Sequence, residues 1–186
     1  SSKPEKEEVD DELTQAINDF KNRPIHKKLS VEIIDSTADD ELVQVIFDNL
    51  SEKIPSNYEL EYETVMSWNK SRQAIYLIWL LEAEVNNGGF NQFYFNSSGQ
   101  FSKYLPSALM LIEAKQFADL TTRAIKIFDL ENDKITEEQD GTLEGFSESY
   151  EDNPLNDLDS EFFSLCEVEN LEEIQIKYIR EHKLDF

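Results

Sequence analysis

Cysteine is almost absent: Cys166 stands alone among 186 residues, so no internal disulfide staples the chain and no oxidising compartment is implied. Its neighbours Phe162, Phe163 and Leu165 lead us to expect it in the core. Glycine and proline are scarce, five of each, and with helical apolar stripes around them they leave little room for a sheet. The two histidines, His26 and His182, lie at opposite ends in polar surroundings. They offer no Ser-His-Asp or Cys-His arrangement, no phosphate-cradling glycine loop is present, and no metal-spaced cluster exists, so neither catalysis nor a cofactor is expected. The longest apolar run, Ala74 to Leu81, is far too short to cross a bilayer, and the first residues are acidic rather than those of a leader. A cytoplasmic chain is the expectation, with a removed leader left open because the sequence begins without Met. Positive charge is also short. Seventeen Lys and Arg against forty Asp and Glu give −23, which argues against direct contact with nucleic acid or an anionic membrane and favours a basic partner.

What is present reads as helices. Ser1 to Glu8 is expected to lack order, and a single helical domain is expected over 9–186. Val9, Leu13, Ile17 and Phe20 form one apolar stripe; Leu42, Val45, Ile46 and Leu50 form a second, with Asp40, Glu41, Gln44 and Asp48 toward water and Ser36 or Thr37 as cap. Tyr58 to Met66 predicts a short helix leading into a long, nearly all-apolar one that includes Ala74 to Leu81. Leu105-Pro106 predicts a helix start that points Ala108, Leu109 and Ile112 inward, and Phe117, Leu120, Ala124, Ile125 and Phe128 mark the next.

The chain is organised around Glu84-Val85-Asn86-Asn87-Gly88-Gly89-Phe90-Asn91-Gln92-Phe93-Tyr94-Phe95-Asn96-Ser97-Ser98-Gly99. Asn and Gly tolerate left-handed backbone, so the long helix is expected to end at Gly88 in that conformation, although Asn87-Gly88 is also a hairpin signal. Phe90, Phe93 and Tyr94 recur at helical spacing, which favours helix-turn-helix. Glu84 is expected to anchor the turn as a buried acceptor.

That segment resembles the signature of a bacterial family of largely unassigned function typified by DNA mimic protein nineteen. The resemblance extends from about residue 60 to 186, through Trp79, the Ala108-Leu109 helix, Leu155 to Phe163 and Tyr178-Ile179. It implies an all-α acidic dimer that presents carboxylates where DNA presents phosphates and so occupies a DNA-binding transcription factor. The signature itself (Glu84, Asn86, Asn87, Gly88, Gly89, Phe90, Gln92, Phe93 and Asn96) suits a folding motif, because it lacks the surface carboxylates that mimicry needs.

Those carboxylates lie elsewhere. Trp68 to Phe128 holds six basic and four acidic residues, whereas Glu131 to Glu173 holds sixteen acidic residues against Lys134 alone. Leu143, Phe146 and Tyr150, then Leu155, Leu158, Phe162 and Leu165, give this acidic stretch two further apolar stripes, continued by Leu171, Ile174 and Tyr178. Its outward carboxylates, Glu137, Glu138, Asp140, Glu144, Glu148, Glu151, Asp152, Asp157, Asp159 and Glu161, form the expected partner-binding face. Such a face also serves solubility alone. The other alternative is a small helical enzyme or ligand-binding domain with its site at Asn86, Asn87, Gln92 and Asn96. Asp129 to Asp140 has a weak likeness to a calcium loop, but Lys134 sits where the turn glycine belongs, so no metal is expected.

Overall fold

A computed structural model describes residues 3–138 and 153–186, with side chains placed for 9–131 and from Asn153 onward. Among these residues every regular element is helical. In order they are α1 (Lys3–Lys21), α2 (Val31–Ser36), α3 (Asp39–Ser51), α4 (Glu61–Ser67), α5 (Lys70–Phe95), α6 (Leu105–Leu111), α7 (Lys115–Glu138), α8 (Leu155–Val168) and α9 (Leu171–Glu181). Single turns of 3-10 helix occupy Tyr58–Leu60 and Lys183–Asp185, and a longer one Ser97–Tyr104. The fold is all-α, as the stripes predict.

Helix α5 is the hub. Asn69 caps it by accepting from the Arg72 amide at 2.9 Å, and Ala74, Ile75, Leu77, Ile78, Leu81 and Val85 are then buried on several faces. It packs against α3, α6 and α8, while α7 packs on α6 and α8 and α9 on α3. Leu42, Ile46 and Leu50 come in from α3, Leu109 from α6, Phe117 and Leu120 from α7, and Leu155, Leu158 and Phe162 from α8. Each such side chain contributes roughly 1.5–3 kcal/mol through its removal from water. Phe162 sets its ring edge-on to Phe90 and Phe117, at centroid distances of 6.1 and 5.5 Å, so α8 is fastened to both α5 and α7.

Several expectations need correction. Helix α1 begins at Lys3, and Pro4 suits its first turn, where its missing N–H costs nothing. Its stripe does not reach the core, since every residue from Val9 to Lys21 is exposed. Asp48 does not face water. It is buried and takes a two-pronged bond from Arg23, Nε to Oδ2 at 2.6 Å and Nη2 to Oδ1 at 2.8 Å, because the chain after α1 crosses over α3. Helix α3 is preceded by Ala38 without a side-chain cap, and Thr37 Oγ1 instead donates back to Ile33 O at 2.6 Å. Asp129 to Glu138 lies within α7, so the calcium-loop likeness is a helix, with Asp140 outside the described residues.

Between α6 and α7 the chain turns at Glu113, whose φ of 69° makes it the one non-glycine residue with positive φ among those described. The Ala114 amide donates to Leu109 O at 2.9 Å, closing the helix end in the way that usually recruits glycine at the left-handed position. Among the described residues, no helix is long and apolar enough to cross a membrane.

Candidate functional site

The signature stretch bends α5 rather than ending it. Regular geometry fails at Gly88 (φ −152°, ψ 19°) and Gly89 (φ 77°, ψ −178°), and the helix resumes through Phe90 to Phe95. The left-handed residue is therefore Gly89, not Gly88 as expected from the sequence. The reason lies across the interface: the Phe90 amide, first donor of the resumed segment, donates to Asp159 Oδ1 at 2.8 Å. A Cβ on Gly89 would run into the same carboxylate, with Asp159 Cγ only 2.7 Å away. Only glycine allows α8 to bring its carboxylate onto the bend.

Asp159 thus leaves the acidic face on which the charge run placed it. It is buried, 6% exposed, and acts as a cap lent by α8 to α5, where the positive end of a helix favours an anion. A signal was present in the sequence: Asp159 stands at i+4 from Leu155 and i−3 from Phe162, within the inward stripe. Beside it, Asn153 Nδ2 donates to the buried Asn91 Oδ1 at 3.1 Å, and Asn153 Oδ1 accepts from the Leu155 amide at 2.9 Å, which starts α8.

Glu84 spans the bend from the other side. Its Oε2 accepts from Gln92 Nε2 at 2.7 Å and from Asn96 Nδ2 at 2.9 Å, and Oε1 accepts from Ser98 Oγ at 3.4 Å. Asn87 Nδ2 donates to Gln92 Oε1 at 3.1 Å. Glu84 is an anchor, but half-buried and bonded to side-chain amides beyond the bend rather than to the glycines. The amides of Asn87, Gln92 and Asn96 are turned on one another and on Glu84; Asn86 is exposed, and Phe90 and Phe93 are buried.

The expected acidic face is only partly visible. Asp140, Glu144, Glu148, Glu151 and Asp152 fall outside the described residues, as do Leu143, Phe146 and Tyr150, and Glu137 and Glu138 have backbone positions alone. Asp157 and Glu161 are exposed one turn apart on α8. Glu161 is partly neutralised: Arg123 Nη2 bonds its Oε2 at 2.7 Å while Arg123 Nε bonds Asp119 Oδ2 at 3.0 Å, all along a groove of about 660 Å³ between α7 and α8. Cys166 is exposed rather than in the core, because the last turn of α8 overhangs the body and leaves Val168 80% exposed.

A second group of carboxylates was not legible in the sequence. Asp39 and Asp40 from the first turn of α3, and Glu172 and Glu173 from the first turn of α9, line one shallow depression of about 490 Å³. Each pair suits its own helix N-terminus. Their union depends on the α3–α9 packing and on Arg180, which donates to Thr37 O at 2.7 Å and to Ile34 O, and meets Asp39 Oδ1 at 2.7 Å.

Nearby, Glu82 of α5 faces α9. Gln175 Nε2 donates to Glu82 Oε2 at 3.1 Å, while the fully buried Gln175 holds its Oε1 without a hydrogen-bond partner. Burial pushes the Glu82 carboxyl up to about 7, the bond from Gln175 opposing and the charge of Glu172 adding to the shift.

Comparison with curated proteins and with solved structures gives no match. The model of the DMP19-like protein family matches residues 66–182, a span that begins just before α5, contains the Gly88–Gly89 bend and its Asp159 partner, and ends after α9. With well over half of its length inside that match, the chain belongs to the DMP19-like protein family.

Proposed function

We propose that this protein acts by binding rather than by catalysis, as an acidic protein that occupies the DNA-binding surface of a basic transcription factor or another basic DNA-binding protein. The observation that carries the reading is the depression lined by Asp39, Asp40, Glu172 and Glu173, in which two helix N-termini hold four carboxylates that outnumber the Lys177 on the same lining and the Arg180 paired with Asp39. Asp157 and Glu161 add a pair one turn apart, about 6 Å, on the scale of successive phosphates on a DNA strand. Family membership supports the same reading, since the family takes its name from a DNA mimic. The ligand-site alternative around Asn86, Asn87, Gln92 and Asn96 is disfavoured by the amides that spend their bonds on Glu84.

The test is competition between this chain and labelled duplex DNA for a basic DNA-binding protein from the same source, followed by fluorescence anisotropy. Displacement of DNA is expected, weakening as salt shortens the range of exposed charges to about 8 Å at physiological ionic strength. Reversing Asp40, Glu172 and Glu173 to lysine should abolish it with the helical circular dichroism unchanged. A stable complex containing both DNA and this chain, or binding indifferent to salt, would leave the carboxylates a role in solubility alone.

A further inference from the structure

Among the described residues, helix α1 carries an apolar pattern that the core does not bury. Val9, Leu13, Ala16 and Phe20 follow the 4-3-4 spacing of a helical seam with Ile17 beside it, yet Val9 is 60%, Leu13 58%, Ile17 45% and Phe20 53% exposed. The helix also lies outside the 66–182 family match. Other elements outside that span, α2 and α3, bury Ile34, Leu42 and Ile46 in the core, so position ahead of the family region does not explain an uncovered face.

The root of α1 is fixed. Arg23 lies over the Phe20 ring at 3.8 Å, donates through Nη1 to Phe20 O at 2.7 Å, and is bonded to the buried Asp48. The stripe is therefore presented from a fastened base, where an isolated helix of this length would be marginal in water.

We propose that α1 is a docking helix whose stripe seats in an apolar groove of a protein partner, with lysine or arginine on the groove's rim. Charge selects this occupant. The helix carries seven acidic and three basic residues, and Asp10, Glu12 and Asp19 flank the stripe. A bilayer surface prefers helices with a basic polar face and repels this one. A second copy would bring the same acidic flanks together, and two stripes of three turns bury well under the roughly 1,000 Å² of a stable interface. A helix-in-groove mode with cations at the rim satisfies both the apolar face and its acidic border. The inference stands whether or not the carboxylates of α3 and α9 mimic DNA.

The experiment uses the full chain with a benzophenone side chain at position 13, illuminated in cells of its source, with adduct sites mapped by mass spectrometry. The expected adduct joins position 13 to residues that line an apolar groove with Lys or Arg at its edge. It should fall at least about tenfold when Ile17→Asp is added, since a charge would then enter the groove. Ile17 is exposed, so the melting temperature should stay within about 2 °C of the parent. Charge reversal of Asp40, Glu172 and Glu173 should leave the adduct in place. Adducts between two copies of this chain, adducts to lipid, adducts that survive Ile17→Asp, or a yield no higher than with benzophenone at the exposed Tyr58 would each overturn the proposal.

Discussion

Replacing Glu82 with glutamine isolates the pH dependence built into the α5–α9 contact. In the folded chain the carboxyl is pushed up from 4.5 to about 7, chiefly by burial. The folded state thus holds a proton that the unfolded state releases, and the contribution of Glu82 to stability is fully present below about pH 4.5, declines as pH rises, and is lost above about 7. At about 1.4 kcal/mol per pH unit the full swing is ~3.5 kcal/mol, and partial solvent access makes this an upper bound. Glutamine cannot ionise, and its amide can donate to Gln175 Oε1, which now lacks a partner. Urea unfolding of parent and Glu82→Gln between pH 5 and 8.5 reads the difference, in which the general self-repulsion of a −23 chain largely cancels. Of the other groups near this carboxyl, Cys166 is exposed as a residue, yet partial desolvation of its thiol and then the Glu82 charge raise it above a value that already lies outside the window. The variant should be about equal to the parent at pH 5 and about 2–3 kcal/mol more stable at pH 8. A difference that stays flat across this range would refute the assignment of a half-buried, proton-holding Glu82.

Gly89→Ala should cost about 2 kcal/mol or more in urea unfolding, because it combines positive φ with a collision against the Asp159 carboxylate; Gly88→Ala should also destabilise but by less, since its φ of −152° suits any residue while an added Cβ would lie 2.9 Å from Gln92 Cβ, which rotation of that side chain does not move. Asp159→Ala should destabilise by about 1–3 kcal/mol by leaving the buried Phe90 amide unpaired, and an unchanged midpoint would remove the capping role. Glu113→Gly should stabilise by about 1 kcal/mol in thermal unfolding, because it relieves a left-handed non-glycine residue at the end of α6.

The inward stripes were readable because burial follows the helical period: Leu42, Ile46 and Leu50, or Leu155, Leu158 and Phe162, lie where spacing puts them. Charge misled where composition was weighed above period. Asp159 reads as one more member of an acidic run, yet its position in the α8 stripe is inward, and Asp48 is buried only because Arg23, distant in sequence, arrives to pair with it. The choice between Gly88 and Gly89 as the left-handed residue depended on a carboxylate 69 residues beyond Phe90, which no local pattern encodes. The meeting of Asp39 and Asp40 with Glu172 and Glu173 is likewise a product of α3–α9 packing. Cys166 follows the apolar period and is still exposed, since the period says which way a side chain points and not whether a neighbour extends far enough to cover it.

The bond from Phe90 to Asp159 also decides which motion frees that amide. Fraying of α5 from its ends cannot release it, because its acceptor belongs to α8; the proton exchanges with solvent only when α8 lifts away and takes Phe162 with it. The Phe90 amide is therefore a single-site clock for the opening of the α5–α8 interface, and its protection tracks a long-range event while the amides around it report the local helix.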